Sequence, residues 1–174
     1  MANNYSVIID ADIARSSGMT EHPRSSGSRA LLNAVSQNGH MIAMCPTLGA
    51  EWKKHRSIFA TKWLASMIAK KRINRINPQA TTKTLIVDNL KDKKIAIALK
   101  DAHLIDGALE VDCIIASNDD IARSVFCELS ITCGSLRAIK WFNAIADREI
   151  VTDYLVSDGF VPKKYYLVAE TTAI

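Results

Sequence analysis

The feature that most constrains this chain is a set of short apolar runs at residues 5–9, 41–45, 113–116 and 138–142, separated by longer stretches with apolar residues at helical spacing. An apolar run this short, with no polar alternation, reads as a strand buried on both faces. Helices are expected over 28–38, where Leu31, Leu32 and Val35 share a side and Gly39 is a stop, and from Pro46 onward with Thr47 as N-cap. Further helices are expected over 59–71, with Trp63, Leu64, Met67 and Ile68 on one side, and over 81–90, 101–110, 119–129 and 147–157, the last stopped by Gly159. The Ser- and Gly-rich segment 16–28, which contains Pro23, is expected to be a loop, while 72–79 and 160–174 carry no clear pattern. Buried strands alternating with helices imply βαβ units. The expected fold is therefore α/β, a three-layer α/β/α sandwich around a central, mostly parallel sheet.

The 174 residues suit one domain. A domain of this size buries roughly 70% of its unfolded surface and needs neither disulfides nor a structural metal to fold. Cys45, Cys113, Cys127 and Cys133 form no C-x-x-C pair, and three of them sit in apolar stretches, so buried free thiols in a reducing compartment are expected. The N-terminus lacks the basic, apolar and cleavage regions of a secretory leader, and no apolar run approaches the ~20 residues of a membrane span, which makes the cytoplasm the expected location. No phosphate-binding G-x-x-x-x-G-K run is present, which argues against nucleotide triphosphate chemistry. Charge is unevenly placed. Between Glu51 and Lys100 there are 13 Lys/Arg against 3 Asp/Glu, leaving 9 of the 22 bases and 15 of the 18 acids elsewhere. A basic middle beside an acidic remainder suits a polyanion partner. It equally describes a solvated helix surface.

Parallel α/β sheets bind ligands beyond the carboxyl ends of their strands, so the residues there matter most. Asp10 follows the first run (VIID), with Asp12 two residues on, on the same side if the strand persists. Glu51 lies about a turn into the helix after the second run. Asp101 is expected at the start of the helix leading into the third run, with Ala102, Ile105, Ala108 and Leu109 as its packed stripe and Asp106 about 140° away. Ser117 and Asp119 follow the third run (IIASND), with Asp120 next to them. Each acid taken alone is as well explained as a turn residue or a helix cap. Asp106, Glu110 and Asp112 are expected to be solvated or local caps. Together, Asp10, Glu51, Asp101 and Asp119 would repel one another unless a cation compensated. Hard divalent cations prefer such all-oxygen sites, with remaining ligands from water and phosphate.

On these residues the sequence resembles the PIN-domain nucleases. The segment DAHLIDGALEVDCIIASND carries the most specific match, placing Ser117 sixteen and Asp119 eighteen residues after Asp101. The resemblance covers about residues 5–143, the PIN-like core, and leaves 144–174 as a C-terminal helix and tail packed on it. Asp12 departs from the small polar residue usual there, and Asp120 adds another acid. The resemblance implies Mg²⁺- or Mn²⁺-dependent endoribonuclease activity that leaves a 5′-phosphate and a 3′-hydroxyl. Asp10, Glu51, Asp101 and Asp119 would hold the metal, Ser117 would orient a carboxylate or water, and Asp12 and Asp120 would support the ligands from behind. Small members are often VapC-type toxins, so an antitoxin partner and a homodimer are implied as well.

Lys53, Lys54 and Arg56, and a second cluster at Lys70, Lys71, Arg72 and Arg75, are candidates to hold an RNA backbone through its phosphates. His22, His40, His55 and His103 are scattered and mark no general acid–base pair. Trp52, Trp63 and Trp141 suit core positions more than base stacking. Two other readings stand beside the nuclease toxin: a catalytically degenerate PIN-like module that binds RNA or protein, and a housekeeping nuclease acting on structured RNA or DNA.

Overall fold

The four apolar runs pair as parallel strands, and a fifth joins them. A computed structural model describes residues 3–170. The strands are β1 (Ser6–Ile9), β2 (Met41–Met44), β3 (Ile73–Arg75), β4 (Ile114–Ala116) and β5 (Lys140–Phe142), in the spatial order β3-β2-β1-β4-β5. Every pairing is parallel, with Val7 opposite Ile42, Ile9 opposite Ala116 and Ile115 opposite Trp141. The helices are α1 (Ala11–Ser16), α2 (Pro23–Gln37), α3 (Pro46–His55), α4 (Ile58–Ala69), α5 (Thr82–Asn89), α6 (Lys93–Glu110), α7 (Asp120–Leu129) and α8 (Arg148–Ser157). Helix α6 packs on β1 and β4 beside α5 and α7, while α2 packs on β2 beside α1, α4 and α8. The result is a three-layer α/β/α fold.

The strands are short because they are buried throughout. All four residues of β1 are covered, and Ile8, Ile9, Ile42, Ile115, Trp141 and Phe142 form the middle of the core. The chain runs outward from β1 to β2 and β3, then returns to β4 on the other side of β1. That reversal places a crevice at the carboxyl ends of β1 and β4. All three tryptophans are buried, and two indoles donate to backbone carbonyls, Trp52 to Ile9 (2.8 Å) and Trp63 to Leu32 (2.7 Å). The four cysteines are free. Among the described residues no helix is long and apolar enough to cross a membrane.

Several expectations need correction. Segment 16–28 is a loop only over 17–22, since α2 begins at Pro23 with the His22 ring accepting from the Arg24 N–H. Its small residues mark close packing: a Cβ at Gly27 would lie 2.8 Å from the Ala144 carbonyl oxygen, and Ser28 is fully buried. Helix α1 was not expected at all. Strand β1 ends at Ile9, so Asp10 and Asp12 do not share a strand face. The α3 cap is Cys45, whose sulfur accepts from the Leu48 N–H, and not Thr47. Helix α6 begins at Lys93, eight residues before Asp101, which therefore lies in mid-helix and caps nothing. Ile68 and Leu109 are exposed and not part of packed stripes. Asp106 accepts from the Thr82 N–H (3.0 Å) and Asp112 from the Ser6 N–H (2.6 Å), so both tie separate elements together. Helix α8 ends at Asp158 in the left-handed region, one residue before Gly159. In the tail, the Leu167 N–H donates to the Ile139 carbonyl and Tyr166 bridges Lys140, covering the outer edge of β5; residues 171–174 lie outside the described part.

Trp52 clips α3, the helix that carries Glu51 to the cleft, to the last residue of β1. Trp52→Phe removes the donor and leaves a buried carbonyl without a partner. Urea unfolding is expected to show a loss of about 1–3 kcal/mol.

Candidate active site

The carboxyl ends of β1, β4 and β5 are stitched together by side chains. Asp10 caps α1: one carboxylate oxygen accepts from the Asp12 N–H (3.4 Å) and the other from the Ser117 hydroxyl (2.7 Å). The Ser117 oxygen accepts in turn from the Asp119 N–H (3.2 Å). Asp12 Oδ2 accepts from the Asn118 N–H (3.0 Å), and Asn118 Oδ1 accepts from the Ala144 N–H (2.8 Å). The Asn143 amide donates to Asp120 (3.1 Å). These bonds fix the loops after the three strands without relying on one long element.

Two helices bring in the other acids. Glu51, in α3, pairs with His103 of α6 at 3.0 Å. Asp101 projects from the middle of α6 and is 4% exposed. Asp119 caps α7, with Oδ1 accepting from the Ala122 N–H (2.9 Å) and Oδ2 lying 3.5 Å from the Lys100 ammonium.

Asp10, Glu51, Asp101 and Asp119 thus line one cleft of about 490 Å³, together with Asp12 and Asp120. Ser117 is fully buried and touches the cleft only through Asp10 and Asp119. The bases expected to hold an RNA backbone do not line this cleft. Lys53, Lys54, Arg56, Lys70, Lys71, Arg72 and Arg75 are all absent from the lining, and the Arg72 guanidinium donates to the Ser36 carbonyl (2.8 Å). The cleft is lined instead by Arg15, Arg24, His55 and Lys100. Two of these were within reach of the sequence: His55 stands four residues after Glu51 on one helix face, and Lys100 adjoins Asp101. Arg15 belongs to α1 and Arg24 to the part of α2 read as loop.

Crowding perturbs the acids. Burial pushes the Asp101 carboxyl up to about 7, with Asp10, Asp119 and Glu51 adding to the rise and Lys100 opposing it. Asp12 is pushed up to about 7 by burial and then by Asp10, against the pull of two backbone N–H groups. Asp101 Oδ2 and Asp12 Oδ1 are buried with no hydrogen-bond partner. Unpartnered buried carboxylate oxygens are costly unless something binds them. As the side chains stand, no group of three His, Cys, Asp or Glu among the described residues is arranged to hold a metal ion. The donor set still fits Mg²⁺ or Mn²⁺, since such ions take one or two carboxylates and complete their shell with water and substrate oxygens.

No protein-family model matches the chain, and no curated protein matches it either.

The raised acids make stability depend on pH. Below the ordinary carboxyl value of 3.8 both folded and unfolded forms are protonated; between there and about 7 the unfolded chain releases protons that the folded protein retains, so these groups lower stability as pH rises. Asp101→Asn removes one of them. In chelator, the variant is expected to be about 1–3 kcal/mol more stable than the parent at pH 8, and nearly equal to it at pH 4, in urea unfolding at the two pH values.

Proposed function

We propose that this chain is a Mg²⁺- or Mn²⁺-dependent endoribonuclease of PIN type. The observation that carries the reading is the meeting of Asp10, Glu51, Asp101 and Asp119, from four separate elements, in one cleft at the carboxyl edge of the sheet, with a buried Asp101 oxygen unpartnered. Asp10, Asp101 and Asp119 would hold the cation, and Glu51 would do so directly or through water. Such a cation polarises a phosphodiester and lowers the pKa of a bound water.

The protein's own groups do the rest. Ser117 donates to Asp10 and accepts from the Asp119 N–H, which fixes the Asp10 carboxylate and the backbone of Asp119. Asp12 braces the Asn118 loop, and Asp120 is held by Asn143. Arg15, Arg24 and Lys100 offer positive charge at the cleft to a phosphate backbone. In the net reaction water adds to phosphorus, the bond from phosphorus to O3′ breaks, and the 3′-oxygen takes a proton, leaving a 5′-phosphate. Free thiols fit a reducing compartment such as the cytoplasm. The degenerate binding module is favoured by one fact, the lack of a preassembled three-ligand group among the described residues.

Cleavage of single-stranded and structured RNA by the purified protein separates these readings. The expected result is cleavage with Mg²⁺ or Mn²⁺, none with EDTA, and a loss of about a hundredfold or more in Asp10→Asn and Asp101→Asn. Salt-sensitive RNA binding without cleavage would select the binding module. Cleavage that survives EDTA and both substitutions would place the chemistry elsewhere. Growth arrest on expression, relieved by a small antitoxin protein, would add the toxin role.

A further inference from the structure

Helix α6 presents two neighbours to the cleft, Asp101 and Lys100. Asp119 has committed Oδ1 to capping α7, which leaves Oδ2 as the oxygen it offers to a ligand. Lys100 sits 3.5 Å from that oxygen. Its side chain is 71% exposed and that of Asp119 27%, so the pair is solvated and easily parted. Lys100 also acts on Asp101, opposing the three carboxylates that crowd it. Arg15, Arg24 and His55 line the same cleft, yet among the described residues none pairs with its acids, and Glu51 pairs instead with His103, outside the lining.

We propose that Lys100 is the cleft's own counter-ion and competes with a divalent cation for Asp119 Oδ2, thereby setting the affinity of the site. This rests on the metal-dependent reading above and adds a regulating residue to it. A single ammonium on a flexible stem neutralises part of the acid cluster. A divalent cation brings twice the charge to the same oxygen and must displace the ammonium to reach it. Removing the ammonium therefore makes the carboxylates more attractive to the cation, whereas a residue that merely braces the fold would have no such effect.

Calorimetric titration of the full chain with MnCl₂, in chelator-stripped buffer and without RNA, tests this. Lys100→Gln is expected to bind Mn²⁺ about three- to tenfold more tightly than the parent. Lys100→Arg keeps the charge and should bind like the parent. Lys94→Gln removes a charge of the same helix that pairs with Glu128 outside the cleft, and should also bind like the parent. Equal or weaker binding by Lys100→Gln, while the parent binds Mn²⁺, overturns the counter-ion role and leaves the metal reading intact. Tightening of the same size in Lys94→Gln also overturns it, because net charge alone would then explain the effect. If neither the parent nor Lys100→Gln binds Mn²⁺, the metal reading falls and the counter-ion falls with it.

Discussion

Carboxylates crowded into one cleft repel each other, and the carboxyl edge of this fold is arranged around holding them there. Asp10 and Asp119 share Ser117; Asp12 and Asn118 tie the start of α1 to the loop after β4; Asn118 and Ala144 tie that loop to the one after β5. The Trp52 indole brings α3, and with it Glu51, to the last carbonyl of β1. Most of these ties join segments far apart in sequence, three of them pairing a backbone group with a side chain. The acids are therefore carried by a rigid frame whose geometry does not depend on their mutual attraction, which they lack.

That arrangement costs stability at neutral pH. Asp12 and Asp101 both hold protons to about 7 because charge is unfavourable where they sit. The buried strands and the three tryptophans supply the apolar burial that tolerates it. A site kept under strain while the scaffold is well packed is the usual pattern where function and stability oppose each other. Lys100 relieves part of the repulsion from within, at the solvent side of the cleft, where it can move away at little cost.

The parallel sheet was legible because its strands are unbroken apolar runs, and four of the five could be placed within one or two residues. The edge strand β3 was not, since Ile73–Arg75 is short, half-covered and interrupted by polar residues. Helix starts failed where composition misled. Gly27 and Ser28 read as loop residues, yet they are small because α2 runs against the Ala144 backbone. Residues 95–99, IAIAL, have the two-residue period of a strand, which hid the first turns of α6 and put Asp101 at a helix start instead of its middle. The acids themselves were legible from spacing along the chain, and the structure gathers them in one cleft. Which bases line the cleft was not, because charge density along the sequence does not say which face a side chain occupies. Lys53, Lys54 and the 70–75 cluster do not line it, while Arg15 and Arg24 do, from helices whose bounds the sequence did not reveal.

The proposed nuclease depends on these carboxylates binding a divalent cation together. The anomalous signal of Mn²⁺ in crystals of the protein tests it most directly. A peak is expected in the cleft, within about 2.0–2.3 Å of carboxylate oxygens of Asp10 and Asp101 or of Asp119. Crystals grown in Mn²⁺ at a concentration that saturates ordinary Mg²⁺ enzymes, yet with no peak in the cleft, would contradict it.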